Sequence, residues 1–156
     1  MRTQRIARIA GVLALLTVGA CNNDTPATPT QPDAINLTGR WRGDIIYSGS
    51  GATMQWTLTQ NGSAVTGDVL LTLPSGSVLL NGKLTGTLTQ TTMPITIAVP
   101  AGGIPARPSC TGTIAATMYY NPLAVPTLNG LLSVTQSTCP IDLAAQTGLT
   151  VARIGS

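Results

Sequence analysis

The chain has 156 residues, with 8 lysines and arginines against 5 aspartates, and neither glutamate nor histidine. Arg2, Arg5 and Arg8 crowd the N-terminus, so the remaining 5 cations and 5 anions cancel (5 − 5 = 0). That balance removes any electrostatic case for nucleic acid, and the missing residue types leave only aspartates for acid–base chemistry.

The first segment, Met1 to Arg8, is basic; Ile9 to Ala20 is uncharged and mostly apolar. This order is that of a secretory signal peptide, and the apolar run is short of the roughly 20 residues a membrane span needs. Val18-Gly19-Ala20-Cys21 closes it and resembles the lipobox of bacterial lipoproteins, with valine where leucine is preferred. The resemblance implies removal of residues 1–20, diacylglycerol on the Cys21 thiol, and acylation of the new amine in bacteria with an outer membrane. It places the protein in the cell envelope, anchored by lipid at the outer membrane and facing the periplasm. Each buried methylene contributes about 0.8 kcal/mol, so two or three chains hold far better than one. Ordinary cleavage after Ala20 would instead release a soluble protein. The cysteine count favours lipidation: with Cys21 modified, Cys110 and Cys139 remain as an even pair for an oxidising compartment. Residues 21–36 follow as a tether, with Pro26, Pro29 and Pro32 and few large apolar side chains. Such a segment buries too little to fold and reaches roughly 20 to 45 Å, depending on how extended it is.

Residues 37–156 are expected to be one all-β domain. Trp41, Gly43, Ile45 and Tyr47 alternate with Arg40, Arg42 and Asp44. Met54, Trp56 and Leu58 alternate with threonine and glutamine, and Asn61-Gly62 supplies a two-residue hairpin turn. Val65, Gly67, Val69, Leu71 and Leu73 follow, then a long strand lined by Val78, Leu80, Gly82, Leu84, Gly86 and Leu88. Ile95, Ile97 and Val99 mark the fifth strand; Gly112, Ile114, Ala116 and Met118 the sixth. Leu128, Gly130, Leu132 and Val134 mark the seventh, and Leu149 and Val151 the last. Period-two alternation gives one buried and one wet face, the antiparallel pattern. Glycines at inward positions suit a sheet that coils tightly.

Leu37-Thr38-Gly39-Arg40-Trp41 in the first strand and Arg153 in the last resemble the G-x-W pattern of calycins, the lipocalins and avidins. The resemblance implies an eight-stranded antiparallel up-and-down barrel, its first and last strands paired, with Gly39, Trp41 and Arg153 as the closing motif. It sets Arg153 across the Trp41 indole, a cation–π contact worth about 0.5 to 2 kcal/mol. Biotin binding is not carried over: an avidin box needs further tryptophans, and this chain has only Trp41 and Trp56. The lipocalin helix before the last strand has at most one turn to offer, from Asp142 to Gln146. A Greek-key β-sandwich is the alternative fold.

In a meander the turns at 48–51, 74–76, 100–109 and 140–146 share one end, the mouth, and the tether joins the other. Cys110 and Cys139 both fall at the mouth, where a bond between them would clip the two longest loops. Their parities disagree, so the pairing requires a bulge or a cysteine beyond its strand. Asp44, Asp68 and Asp142 lie in no catalytic motif, and a zinc site lacks ligands once the cysteines are assigned. The expectation is a monomeric, non-catalytic protein without metal or cofactor. An eight-stranded barrel is either filled by side chains or holds one small ligand. The first reading is a small apolar ligand at the mouth, flanked by Ile104, Pro105 and Arg107. The second is a filled barrel acting as an interaction, inhibitor or structural protein, with loops such as 121–126 meeting another envelope protein.

Overall fold

A computed structural model of the chain describes residues 34–143 and 146–155. The expected signal peptide, Cys21 and the expected tether up to Asp33 lie outside the described residues. Eight strands follow in order: β1 (Gly39–Tyr47), β2 (Ser50–Asn61), β3 (Ala64–Thr72), β4 (Val78–Thr87), β5 (Thr92–Val99), β6 (Gly112–Asn121), β7 (Thr127–Ser137) and β8 (Thr147–Gly155). Each pairs with the next, and β8 returns to β1, so the sheet closes as an antiparallel up-and-down barrel. The fold is therefore the barrel and not the Greek-key sandwich. The turn of helix expected at 142–146 is not formed at Asp142, Leu143 or Gln146; residues 144–145 lie outside the described residues.

The alternation read from the sequence fixes the faces. Trp41, Met54, Val65, Leu71, Leu80, Leu84, Ile97, Ile114, Met118, Leu128 and Val151 all point inward and are fully buried, while their strand neighbours face water. Two assignments change. Val78 is exposed, because the β3–β4 register slips between Leu71 and Thr72: Leu71 pairs with Leu80, but Thr72 pairs with Val78. The extra residue, Leu79, reverses parity and sets Val78 beside Thr72 on the outer face. Met93 is fully buried and belongs to β5, although Pro94 follows it. The proline is tolerated because β4–β5 pairing ends at Gly86 and Ile95, so no ladder bond on that side needs its N–H.

The hairpin turns follow backbone chemistry. Ser48 and Gly49, between paired Tyr47 and Ser50, both have positive φ (49° and 76°), as a mirror-image turn requires. At the next hairpin Asn61 pairs with Ala64, so the central residues are Gly62 and Ser63, one step later than Asn61-Gly62. Gly62 alone takes the positive φ there, at 59°.

Candidate functional site

Closure is built at the end where β1 begins and β8 finishes. Trp41 pairs with Arg153, and the register slips between Arg40 and Trp41 because Arg40 pairs with Gly155; Ile154 is the extra residue. The Trp41 indole N–H donates to the Leu37 carbonyl at 2.9 Å. Arg153 places its guanidinium carbon 4.9 Å from the Trp41 ring centroid and donates to the Asn36 carbonyl. Of the motif residues, Trp41 and Arg153 meet across the seam, while Gly39 pairs with Leu58 of β2. Their chemistry is structural: one cation and one indole seal the last strand to the first.

At the mouth, Cys110 and Cys139 are bonded, with Cα atoms 5.6 Å apart. The parity conflict is resolved by a slip in β6–β7 pairing: Thr113 faces Gln136, but Ile114 faces Val134. Past the bulge, Thr138 N–H donates to Thr111 O at 3.0 Å, and the next pair outward is the two cysteines. Both lie beyond the strand ends.

The 100–109 loop folds inward over the mouth. Ile104 is 4% exposed and joins the core with Cys110 and Ile141, so it closes the mouth. The loop is fixed by Asn81 N–H to Gly103 O at 2.6 Å and Arg107 N–H to Ile104 O at 2.8 Å. Pro105 and Arg107 stay exposed. Arg107 donates to the Pro140 carbonyl and stands 3.9 Å from the Asp142 carboxylate, stapling the two mouth loops together. The three residues expected to flank a ligand therefore do not line one opening.

Among the described residues the interior side chains are closely packed. A water-sized void would leave bare surface on the side chains around it. Trp41, Met54, Met93, Ile97, Ile114, Met118 and Leu132 have none. Two buried polar atoms lack a partner among the described residues, Trp56 Nε1 and Arg153 Nε.

The roomier concavities lie outside. A groove of about 760 Å³ crosses the outer face of β6, β7 and β8 and reaches Asp44 of β1. Tyr119 (52% exposed) and Leu131 (54%) supply its large side chains. Asn129, Gln146, Ser133, Thr117 and Thr150 supply hydrogen-bonding groups. Asp44 accepts a 3.0 Å bond from the Thr53 hydroxyl. It enters neither of the ion pairs among the described residues, Lys83–Asp68 and Arg107–Asp142. One weak signal for this groove lies in the sequence: Tyr119 and Leu131 stand at outward parity among small and polar residues. No cluster of three metal-ligating side chains occurs among the described residues.

No family model matches the chain. No curated protein matches it either. Among solved structures, a redesigned β-barrel, mFAP1, bound to DFHBI is similar in fold. The TM-score is 0.52 at 14% identity, over 76% of this chain and 94% of that one.

Proposed function

We propose that this is a non-catalytic envelope lipoprotein, anchored through Cys21, whose solid barrel presents its outer surface to another envelope protein. The observation that carries the reading is the filled interior beneath a mouth closed by Ile104 and Ile141. With no room inside, recognition falls to the exterior, and the groove over β6–β8 has the makeup of an interface. Exposed tyrosine is enriched at such surfaces, and its neighbours Asn129 and Gln146 offer amides that form no side-chain bonds among the described residues. Lipid anchorage is supported by Val18-Gly19-Ala20-Cys21 and by the Cys110–Cys139 bond, which leaves Cys21 as the odd cysteine.

Two measurements test the reading. Intact mass of the protein from its source should show a chain beginning at an acylated Cys21; an unmodified Cys21 overturns the anchor. A photo-crosslinking residue at Leu131 should give a discrete protein adduct in envelope preparations, and the same residue at Lys83 should not. Equal or absent adducts at both positions overturn the groove's role.

A second reading, a small apolar ligand held inside the barrel, is favoured by one observation. Trp56 Nε1 is a buried donor without an acceptor among the described residues, which a ligand oxygen would satisfy. The mFAP1 barrel, bound to DFHBI, offers an analogy for such cargo.

A further inference from the structure

Charge and apolar surface collect at one end of the barrel, where β1 begins and β8 ends. Of the five cations from Arg40 onward, Lys83 and Arg107 face Asp68 and Asp142. The other three, Arg40, Arg42 and Arg153, stand at this end, and none pairs with a carboxylate among the described residues. Arg40 and Arg42 are exposed, and the Arg40 guanidinium lies across Gly155, 3.4 Å from where a Cβ would be. Asp44, the next outward residue along β1, sits deeper in the register, opposite Thr53.

The same end carries bare apolar side chains. Leu123 and Val125, on the loop between β6 and β7, are 61% and 54% exposed. Ile154, which faces outward by the alternation of β8, is 51% exposed. The loop lies against the arginine strand, since Arg153 N–H donates to Pro126 O at 3.0 Å. Proline on both sides, Pro122 and Pro126, limits how far this loop can fold its side chains away.

We infer that this end is a docking face for an anionic lipid surface. Leu123, Val125 and Ile154 enter the interfacial region while Arg40 and Arg42 hold the acidic headgroups. Apolar tips flanked by cations are the makeup of peripheral membrane contacts. Chain connectivity agrees, because β1 starts here. The 13 steps from Cys21 to Ala34 (34 − 21) limit the reach to the roughly 20 to 45 Å expected for such a tether. An acylated Cys21 would therefore keep this end close to the bilayer, where a weak contact suffices. The inference builds on the lipid-anchor reading, yet the contact itself is measurable without acyl chains.

The test uses the mature chain from residue 21 carrying Cys21→Ser, mixed with vesicles of phosphatidylcholine alone or with phosphatidylglycerol. The chain should sediment with the anionic vesicles at low salt, release as salt rises, and ignore the neutral ones. Arg40→Gln with Arg42→Gln should weaken partitioning roughly thirtyfold, from about a factor of five per arginine at the surface. Leu123→Ser with Val125→Ser should weaken it as well, whereas Arg107→Gln, at the far end, should leave it unchanged. No sedimentation with anionic vesicles, or sedimentation indifferent to these paired changes, overturns the docking face. An unmodified Cys21 in the native protein would overturn the anchor alone and leave the vesicle result standing.

Discussion

Gly43 sits where β1 runs so close to β8 that a Cβ would stand 2.1 Å from the Thr150 carbonyl oxygen. The same holds at Gly67, where a Cβ would meet the Thr57 carbonyl oxygen at 2.3 Å. In both cases the obstacle is backbone, which cannot step aside as a flexible side chain can. The inward glycines are thus the positions where neighbouring strands press into the barrel. Gly43→Ala should cost about 1 to 3 kcal/mol, the range for forcing extra volume into a packed core. Gly51→Ala, with nothing within 4 Å of its Cβ position, should be close to neutral. Urea unfolding midpoints of the two variants check the contrast, and equal midpoints would remove close approach as the reason for glycine at Gly43. At Arg153 the demand is of a different kind: one planar cation must lie over Trp41 while reaching the Asn36 carbonyl. Lysine carries the charge but not the flat fork.

Between elements, the bulges decide what pairs with what. The slip in β6–β7 brings Cys110 opposite Cys139, and their bond closes a loop of sequence separation 29. In the chain-entropy account, losing a loop of that size costs about 3 to 4 kcal/mol. Cys110→Ser with Cys139→Ser should lower stability by that order. The 100–109 loop should loosen first, seen as faster amide exchange at Ile104 than at Ile97 on β5. Uniform loss of protection would mean the bond steadies the whole barrel and not its cap. The strand succession, the inward faces and the Trp41–Arg153 closure were legible, because alternation at period two and a G-x-W opening are local signals. The bulges were not. An inserted residue such as Leu79 or Ile154 carries no mark of its own, and only pairing with a neighbouring strand reveals it. The same reason hid Val78 on the outer face and left the cysteine parity unresolved; the turn at Gly62-Ser63 was missed because only the pairing of Asn61 with Ala64 sets its centre. Ile104 was misplaced for a related cause: a hydrophobic residue in a long loop reads alike whether it rims an opening or plugs it. The outer groove depends on how β6–β8 curve beside β1, which no single stretch of sequence encodes.

For the molecule as a whole, closure and filling are separate properties with separate consequences. Closure gives every strand two neighbours, so the sheet has no free edge strand of the kind that invites pairing in an open sheet, although β1 and β8 pair only where Arg40–Arg42 meet Ala152–Gly155. Filling decides how the protein can respond to a ligand. Cargo bound inside would stabilise the folded state by mass action, by about 2.7 kcal/mol when present at a hundred times its dissociation constant. A domain of this size would then melt about 4 to 8 °C higher loaded than empty. A barrel whose Trp41, Met93, Met118 and Leu132 leave no water-sized space has nothing to lose on extraction. Protein purified from its source should therefore keep the same Tm after solvent extraction and refolding, and the extract should hold no compound in one-to-one ratio with the chain. A fall in Tm that adding back one extracted compound reverses would make the barrel a carrier. The buried Trp56 N–H would then be its first contact, and Trp56→Phe should weaken that rescue. An unchanged Tm instead assigns recognition to the outer face, with Tyr119 and Leu131 at its centre.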